Sequence, residues 1–263
     1  MREQTNILIG FAQDLAEIAR DKLQAYVADS VDMRTKGDSS PVTDLDLEIE
    51  RAMRERILGR YPCHGILGEE YGADRIGADI VWVLDPIDGT AHFIAGVPLF
   101  GTLIAITRGG QPWIGLIDIP MTGDRWIGVA GEWATRNAEV ARTRPCRSLS
   151  RAFMSCSNPD MQSAAEAAQF LRVKKSVSYT LYGASSFAFG ALASGRTDVA
   201  VDAGLGTHDI MAPCAIISGA GDAMTDWKGE ALRLGSSGQT IAVGDRNRLM
   251  DVVALLQAEC SAC

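Results

Sequence analysis

No apolar run in this sequence reaches the ~18 residues that a membrane span requires, and no block of Lys or Arg interrupts it. The first absence excludes a helical membrane protein. The second, with 25 basic against 33 acidic residues and a net charge of −8, argues against a nucleic-acid surface. The N-terminus brings in an acid at Glu3 and no long apolar core after it, so no secretory leader is expected. The six cysteines stand at 63, 146, 156, 214, 260 and 263 with no disulfide-scaffold spacing. We expect reduced thiols and a cytoplasmic location. Cys260 and Cys263 form a C-x-x-C without a second ligand pair, which reads as tail.

What is present is a chain of 263 residues with 47% apolar content, enough for one large domain or two intimate small ones. The first half begins with an amphipathic helix over 7–27, marked by Ile7, Leu8, Phe11, Leu15, Ile18 and Leu23. After a polar loop around Lys36, Thr43 and Asp46 form a capping box for a second helix with Leu45, Ile49, Met53 and Ile57 on one face. Strands follow at 80–84, 101–107, 113–119 and 126–129, an α+β pattern with an antiparallel sheet. The second half reads as α/β. Strands are expected at 153–155, 198–202, 223–226 and 240–243, with helices at 160–170, 181–194, 209–218 and 247–258. Pro213 is tolerable near a first turn, so that helix is placed from His208, with Asp209 at its positive end. The Thr/Arg/Pro/Ser-rich passage near 143–150 divides a metal-binding half (1–145) from a half that closes the substrate site (146–263).

The most informative stretch is residues 81–90, where an apolar run delivers Asp85 and Asp88 into a Pro86/Gly89 turn beside Thr90. Clustered carboxylates are hard oxygen ligands suited to Mg²⁺ or Mn²⁺. Two such ions ~3.5–4 Å apart activate water and stabilise a leaving oxygen. Glu70, in Gly68-Glu69-Glu70, can add a third acid, and the Ile87 carbonyl a further oxygen. This chemistry points to a metal-dependent phosphatase.

The motifs Gly68-Glu69-Glu70, Trp82-Val83-Leu84-Asp85-Pro86-Ile87-Asp88-Gly89-Thr90 with Phe93 and Gly96, and His208-Asp209-x-x-Ala212 resemble those of the inositol monophosphatase family over essentially the whole chain. The resemblance implies a layered αβαβα sandwich of the inositol monophosphatase/fructose-1,6-bisphosphatase type, a homodimer, and two or three Mg²⁺ ions with Mn²⁺ as a substitute. Glu70, Asp85 and Ile87 then match ligands of a first metal, and Asp85, Asp88 and Asp209 those of a second. Asp46 and Thr90 match the pair that activates water, with Glu70 also at the reacting centre. Lys36 matches a basic residue of a mobile loop, while Glu69 and His208 stand just behind the ligands. Asp88, Gly89, Thr90, Ser185, Asp202 and Asp209 fall at substrate-binding positions. The expected partner is a small phosphomonoester, with no nucleic acid and no membrane.

Finer motifs resemble the histidinol-phosphate phosphatase branch: Gly96-Val97-Pro98-Leu99-Phe100-Gly101-Thr102, Arg125-Trp126-Ile127-Gly128 and Thr225-Asp226-Trp227-x-Gly229. The substrate implied is L-histidinol phosphate. The alternatives are inositol 1-phosphate, a broad sugar or nucleotide phosphate range, or a binding protein without catalysis. Three positions depart from the branch. Ala91 stands for a usual Arg or Lys, Ser185 for the Asp that would meet a cationic substrate, and His208 for a Tyr or Trp.

Overall fold

The computed structural model describes residues 2–26, 34–35 and 41–258; Lys36, Cys260 and Cys263 lie outside them. Helix α1 (Arg2–Tyr26) buries Leu8, Ala12, Leu15, Ala19 and Leu23, the i, i+3, i+4 stripe of an amphipathic helix. A short antiparallel pair, β1 (Arg34–Thr35) and β2 (Pro41–Val42), precedes α2 (Asp44–Arg60). Thr43 and Asp46 form the expected capping box on α2.

The first sheet takes its strands in order from β3 (Gly65–Gly68), β4 (Gly72–Asp74) and β5 (Ile80–Asp88). After α3 (Thr90–Ala95) come β6 (Gly101–Arg108), β7 (Gln111–Ile119), β8 (Asp124–Val129), β9 (Trp133–Arg136) and β10 (Glu139–Val140). Their spatial order is β10-β9-β8-β7-β6-β5-β3-β4. Every pairing is antiparallel except β3 with β5. The second sheet is built from β11 (Phe153–Cys156), then α4 (Ala164–Ser176), β12 (Tyr179–Tyr182), α5 (Ser185–Ala193) and β13 (Val199–Asp202). The chain continues through α6 (Thr207–Gly219), β14 (Ala223–Thr225), β15 (Thr240–Val243) and α7 (Leu249–Gln257). This sheet is mixed, in the order β12-β11-β13-β15-β14.

Alternation along the strands sorts the core into three layers of packing. Trp82, Leu84, Ile104, Ile106 and Leu116 face α1 and α2. Val83, Leu103, Ala105, Ile117 and Trp126 face the other way, with Leu192 of α5 and Ile210, Met211 and Ile216 of α6. That middle layer also takes Ala200 and Ala242 from the second sheet, whose opposite face carries Val199, Val201, Ile241 and Val243 toward α4 and α7. The result is the αβαβα sandwich. Its middle helices come from the second half of the chain but pack on the sheet of the first. Gly115 and Gly128 make this possible: a Cβ at either would overlap the α6 backbone at Ala212 or Ile216.

Several elements differ from the sequence reading. β3, β4, β9, β10 and β12 are additional strands, most of them too short to show a period. Leu181 and Tyr182, expected to open the helix at 181–194, belong instead to β12, which pairs with β11, and the helix begins only at Ser185. α6 starts at Thr207, so Pro213 lies in its second turn rather than its first. Pro213 has no N–H for the Asp209 carbonyl, and the helix keeps it through burial against the sheet.

Candidate metal centre

Asp85 and Asp88 are not joined by a turn, as the Pro/Gly content led us to expect; both belong to β5, and the turn comes after them. Asp85 pairs with Leu103 and Asp88 with Gly101, so three steps on β5 oppose two on β6. In a regular strand, residues three apart point to opposite faces. This bulge cancels that alternation and brings both acids to one place. Thr102 Oγ1 pins the bulge by donating to the Pro86 carbonyl at 2.8 Å.

The third acid arrives from α6. Asp209 accepts the Gly206 N–H at 2.5 Å, and Asp88 accepts the Ser186 N–H from the start of α5 at 2.6 Å. Carboxylate oxygens of Asp85, Asp88 and Asp209 all lie within 4.8 Å of one another. A second grouping with the same spacing joins Asp85 to Glu69 and a ring nitrogen of His208. Asp85 is common to both.

The acid beside Asp85 is therefore Glu69, where the sequence reading placed Glu70. The Glu69 N–H donates to the Leu84 carbonyl at 3.1 Å, which aligns this residue with the end of β5. The next two amides, Glu70 at 2.7 Å and Tyr71 at 3.2 Å, donate to the buried carboxylate of Glu50. Arg54 pairs with Glu50 at 2.7 Å and reaches the Gly72 carbonyl. Glu50 went unnoticed in the sequence. Its signal was the i, i+4, i+8 row of Asp46, Glu50 and Arg54 beside the apolar face of α2.

Asp46 is fully buried, and its Oδ2 accepts from the Thr43 N–H and Oγ1 at 2.8 and 2.6 Å. Thr90 Oγ1 donates to the Ile87 carbonyl at 3.1 Å. Gly89 caps α3 with a left-handed φ of 76°. Its Cα is so close to Ser185 Oγ and His92 Nδ1 that a Cβ would stand 2.6 and 3.2 Å from them. Ser185 Oγ and His92 Nδ1 are themselves 3.3 Å apart. Ala184 and Ser185 hold φ values of 73° and 43°, a strained left-handed pair. Asp202 is 3% exposed and accepts the Ser157 N–H at 2.6 Å.

Electrostatics set this region apart. Burial, then the charges of Glu69, Asp88 and Asp209, lift the Asp85 carboxyl well above the carboxylate range. Burial and Asp209 push Asp88 up to about 7. Burial raises Asp209, against the opposing pull of His208 and the Gly206 amide. Burial likewise raises Asp202 to about 6. Like charges gathered out of water stay ionised only with a counter-charge among them. Asp85 Oδ1 is buried and has no hydrogen-bond partner among the described residues. An orphaned carboxylate oxygen inside a ring of acids fits a divalent cation, as does the hard oxygen donor set.

His64 is a buttress beside β5: it accepts the Trp82 Nε1–H at 3.0 Å and stacks on Tyr61 at 4.7 Å. Trp126 and Trp227 are core residues, anchored on Ser194 Oγ and the Asp202 carbonyl.

The chain matches the inositol monophosphatase family over residues 1–261. It is 40% identical over 230 residues to the bifunctional phosphatase IMPL2, chloroplastic, of Arabidopsis thaliana, covering 87% of this chain and 66% of that protein. It is 29% identical to a histidinol-phosphatase of Mycobacterium tuberculosis over 80% of this chain and 84% of that one. A solved inositol monophosphatase from Zymomonas mobilis superposes with a TM-score of 0.88 at 34% identity, covering 96% of this chain and 98% of that one. Identities in this range do not single out the histidinol-phosphate branch. The chain belongs to the inositol monophosphatase family, and its activity is metal-assisted hydrolysis of a small phosphomonoester.

Proposed function

We propose that the substrate is a polyol monophosphate of the inositol 1-phosphate type, hydrolysed by direct attack of water at phosphorus. The observation that carries this reading is the Ser185–His92 pair beside Gly89. Where an acid would meet a cationic leaving group, the chain offers a hydroxyl and an imidazole, which suit alcohols. Losing a charge-assisted partner costs a cationic ligand ~1.5–3 kcal/mol.

The ligands proposed are Glu69, Asp85, Asp88 and Asp209, with the Ile87 carbonyl. A bound divalent cation supplies Lewis-acid polarisation and a water of lowered pKa. The protein's part is to gather the acids and hold them in register. The Ser186 and Gly206 amides fix Asp88 and Asp209 from two helices. Thr90 Oγ1 donates a hydrogen bond to the Ile87 carbonyl, which leaves its lone pairs to orient the attacking water by accepting a hydrogen bond from it. Asp46 is proposed as the second acceptor, and the Gly89 and Thr90 amides as donors to phosphate oxygens.

A second reading, L-histidinol phosphate, is favoured by the relative of that name and by the stretches at 96–102 and 225–229. Initial rates on inositol 1-phosphate, L-histidinol phosphate and a small phosphomonoester panel, with Mg²⁺ and with chelator, decide between them. The polyol reading expects inositol 1-phosphate to lead in kcat/KM. A lead for histidinol phosphate above ~100-fold, or ~2.7 kcal/mol, reverses it.

A further inference from the structure

A ring of oxygen donors is what Mg²⁺ asks for; the grouping at Glu69 and Asp85 also contains a nitrogen. We propose that His208 is a ligand of the first cation position, and that it shifts the preference of the site from Mg²⁺ toward Mn²⁺ and the later divalent metals. The inference rests on the reading of this cluster as a metal centre.

Four observations support it. A ring nitrogen of His208 lies with carboxylate oxygens of Glu69 and Asp85 in one group whose atoms are all within 4.8 Å of one another. The ring is seated rather than loose, because it lies against Gly206, where a Cβ would stand 2.6 Å from Nε2 and 2.9 Å from Nδ1. Its contact with Asp209 on the same helix, Oδ2 at 3.7 Å from Nε2, is within ion-pair range but too long for a hydrogen bond, so that contact spends no ring N–H or lone pair. Finally, its position is fixed from below, since α6 packs its backbone directly on Gly115 and Gly128 of the first sheet. The imidazole is therefore held at the second residue of a rigid helix, in reach of the acid shared by both groupings. Its side chain is 25% exposed.

The chemistry follows from donor type. Mg²⁺ binds oxygen, prefers a near-octahedral shell and gives up water reluctantly. Imidazole nitrogen favours transition metals, and for a given donor set affinity rises from Mn²⁺ through Fe²⁺ and Co²⁺. Replacing one oxygen or water by His208 therefore strengthens the later metals more than Mg²⁺.

The test uses Mn²⁺ as the probe. Electron spin-echo measurements on the Mn²⁺-loaded protein are expected to show coupling to an imidazole nitrogen. His208→Gln and His208→Tyr should abolish that coupling, and His92→Gln should keep it. Competition titrations read by the Mn²⁺ signal should show the preference for Mn²⁺ over Mg²⁺ falling by roughly tenfold or more in His208→Gln. Near-ultraviolet circular dichroism of each variant establishes that the fold is kept, and the Tyr variant keeps an aromatic ring at the position if Gln disturbs it. A wild-type protein that binds Mn²⁺ without nitrogen coupling, or a coupling that survives in both His208 variants, overturns the proposal and leaves the metal centre standing. A wild-type protein that binds no Mn²⁺, with Asp85→Asn behaving alike, overturns both.

Discussion

Two buried aspartates on the first sheet have opposite surroundings. Asp118 on β7 is met by cations: Arg20 from α1 donates to both of its oxygens, and Arg125 from β8 donates at 2.7 Å. Glu17 completes the network on Arg125. Asp85 on β5 is met by acids, with Asp88, Asp209 and Glu69 around it. Residue type and sheet are the same, so the difference lies in what the neighbouring elements bring. The Asp118 site is neutralised by the protein and ties α1 to the sheet. The Asp85 site is left with a surplus of negative charge, which only something from outside can balance.

The largest effect expected of any single change is at the acid-rich site. Asp88→Asn keeps an oxygen for the Ser186 amide but removes one charge from the cluster. Turnover at saturating Mg²⁺ should fall at least ~100-fold, since loss of an outer partner alone costs a metal site 10–100-fold. Without metal, the same variant should melt higher than the parent at pH 8, because a repulsion has gone. Calorimetry and phosphate release on one preparation measure both.

At the neutralised site the signs reverse. Asp118→Ala leaves Arg20 and Arg125 facing an empty, buried position. We expect a loss of about 3–5 kcal/mol in urea unfolding, the usual consequence of breaking a buried pair from one side. The kcat of the folded fraction should stay close to that of the parent. A fall in kcat as deep as that of Asp88→Asn would mean that the two sites are not separate in function.

Acidity sharpens the contrast further. Asp88, pushed up to about 7, and the likewise raised Asp85 and Asp209 take up protons more readily folded than unfolded. Their contribution to stability is fully present below the unfolded value near 3.8 and is lost as pH rises through the folded value. The melting temperature of the metal-free protein should therefore decline across this range on their account, and Mg²⁺ or Mn²⁺ should restore more at pH 8 than at pH 5. Equal gains at the two pH values would contradict the picture.

Glu50 stands between the two cases: it is a buried acid neutralised by Arg54, yet it holds the turn that carries Glu69. Glu50→Gln keeps one acceptor and presents an amide to donors. We expect a loss of roughly 1–3 kcal/mol. A weaker apparent Mg²⁺ affinity should accompany it, read as the Mg²⁺ concentration giving half-maximal rate. Unchanged Mg²⁺ dependence would reduce Glu50 to a structural role.

The sequence carried the motif but not its geometry. Asp85 and Asp88 were visible because an apolar strand ends in two acids; the bulge that aligns them needs β6 and cannot be seen in β5 alone. Asp209 was legible from the helix that follows it, although the helix boundary and Pro213 were misjudged by part of a turn, because packing on Gly115 and Gly128 overrides a local penalty. The choice between Glu69 and Glu70 turned on one residue of register, set by Leu84 and Glu50, neither of them adjacent in sequence. The long helices and the hairpins at 101–129 declared themselves by period. The short strands at 65–74, 133–140 and 179–182 did not, since two to four residues contain too little pattern.

The smallest effect belongs to His64, where burial without a charge partner can be tested by itself. Burial lowers its pKa below the usual histidine value, and Nδ1 must stay unprotonated to accept from Trp82. A group depressed in the folded state contributes stability that is present above its unfolded pKa, near 6.5, and is lost as pH falls through the folded value. Stability should therefore drop modestly below pH 6.5, opposite in sign to the acid cluster over the same interval. His64→Gln, which can still accept from the indole but does not titrate there, should flatten that component and leave the rise at low pH from the cluster intact. Thermal melts of the two metal-free proteins between pH 5 and 8 give the comparison directly. If the two curves run parallel, His64 is not the group that titrates, and the acid cluster alone accounts for the slope.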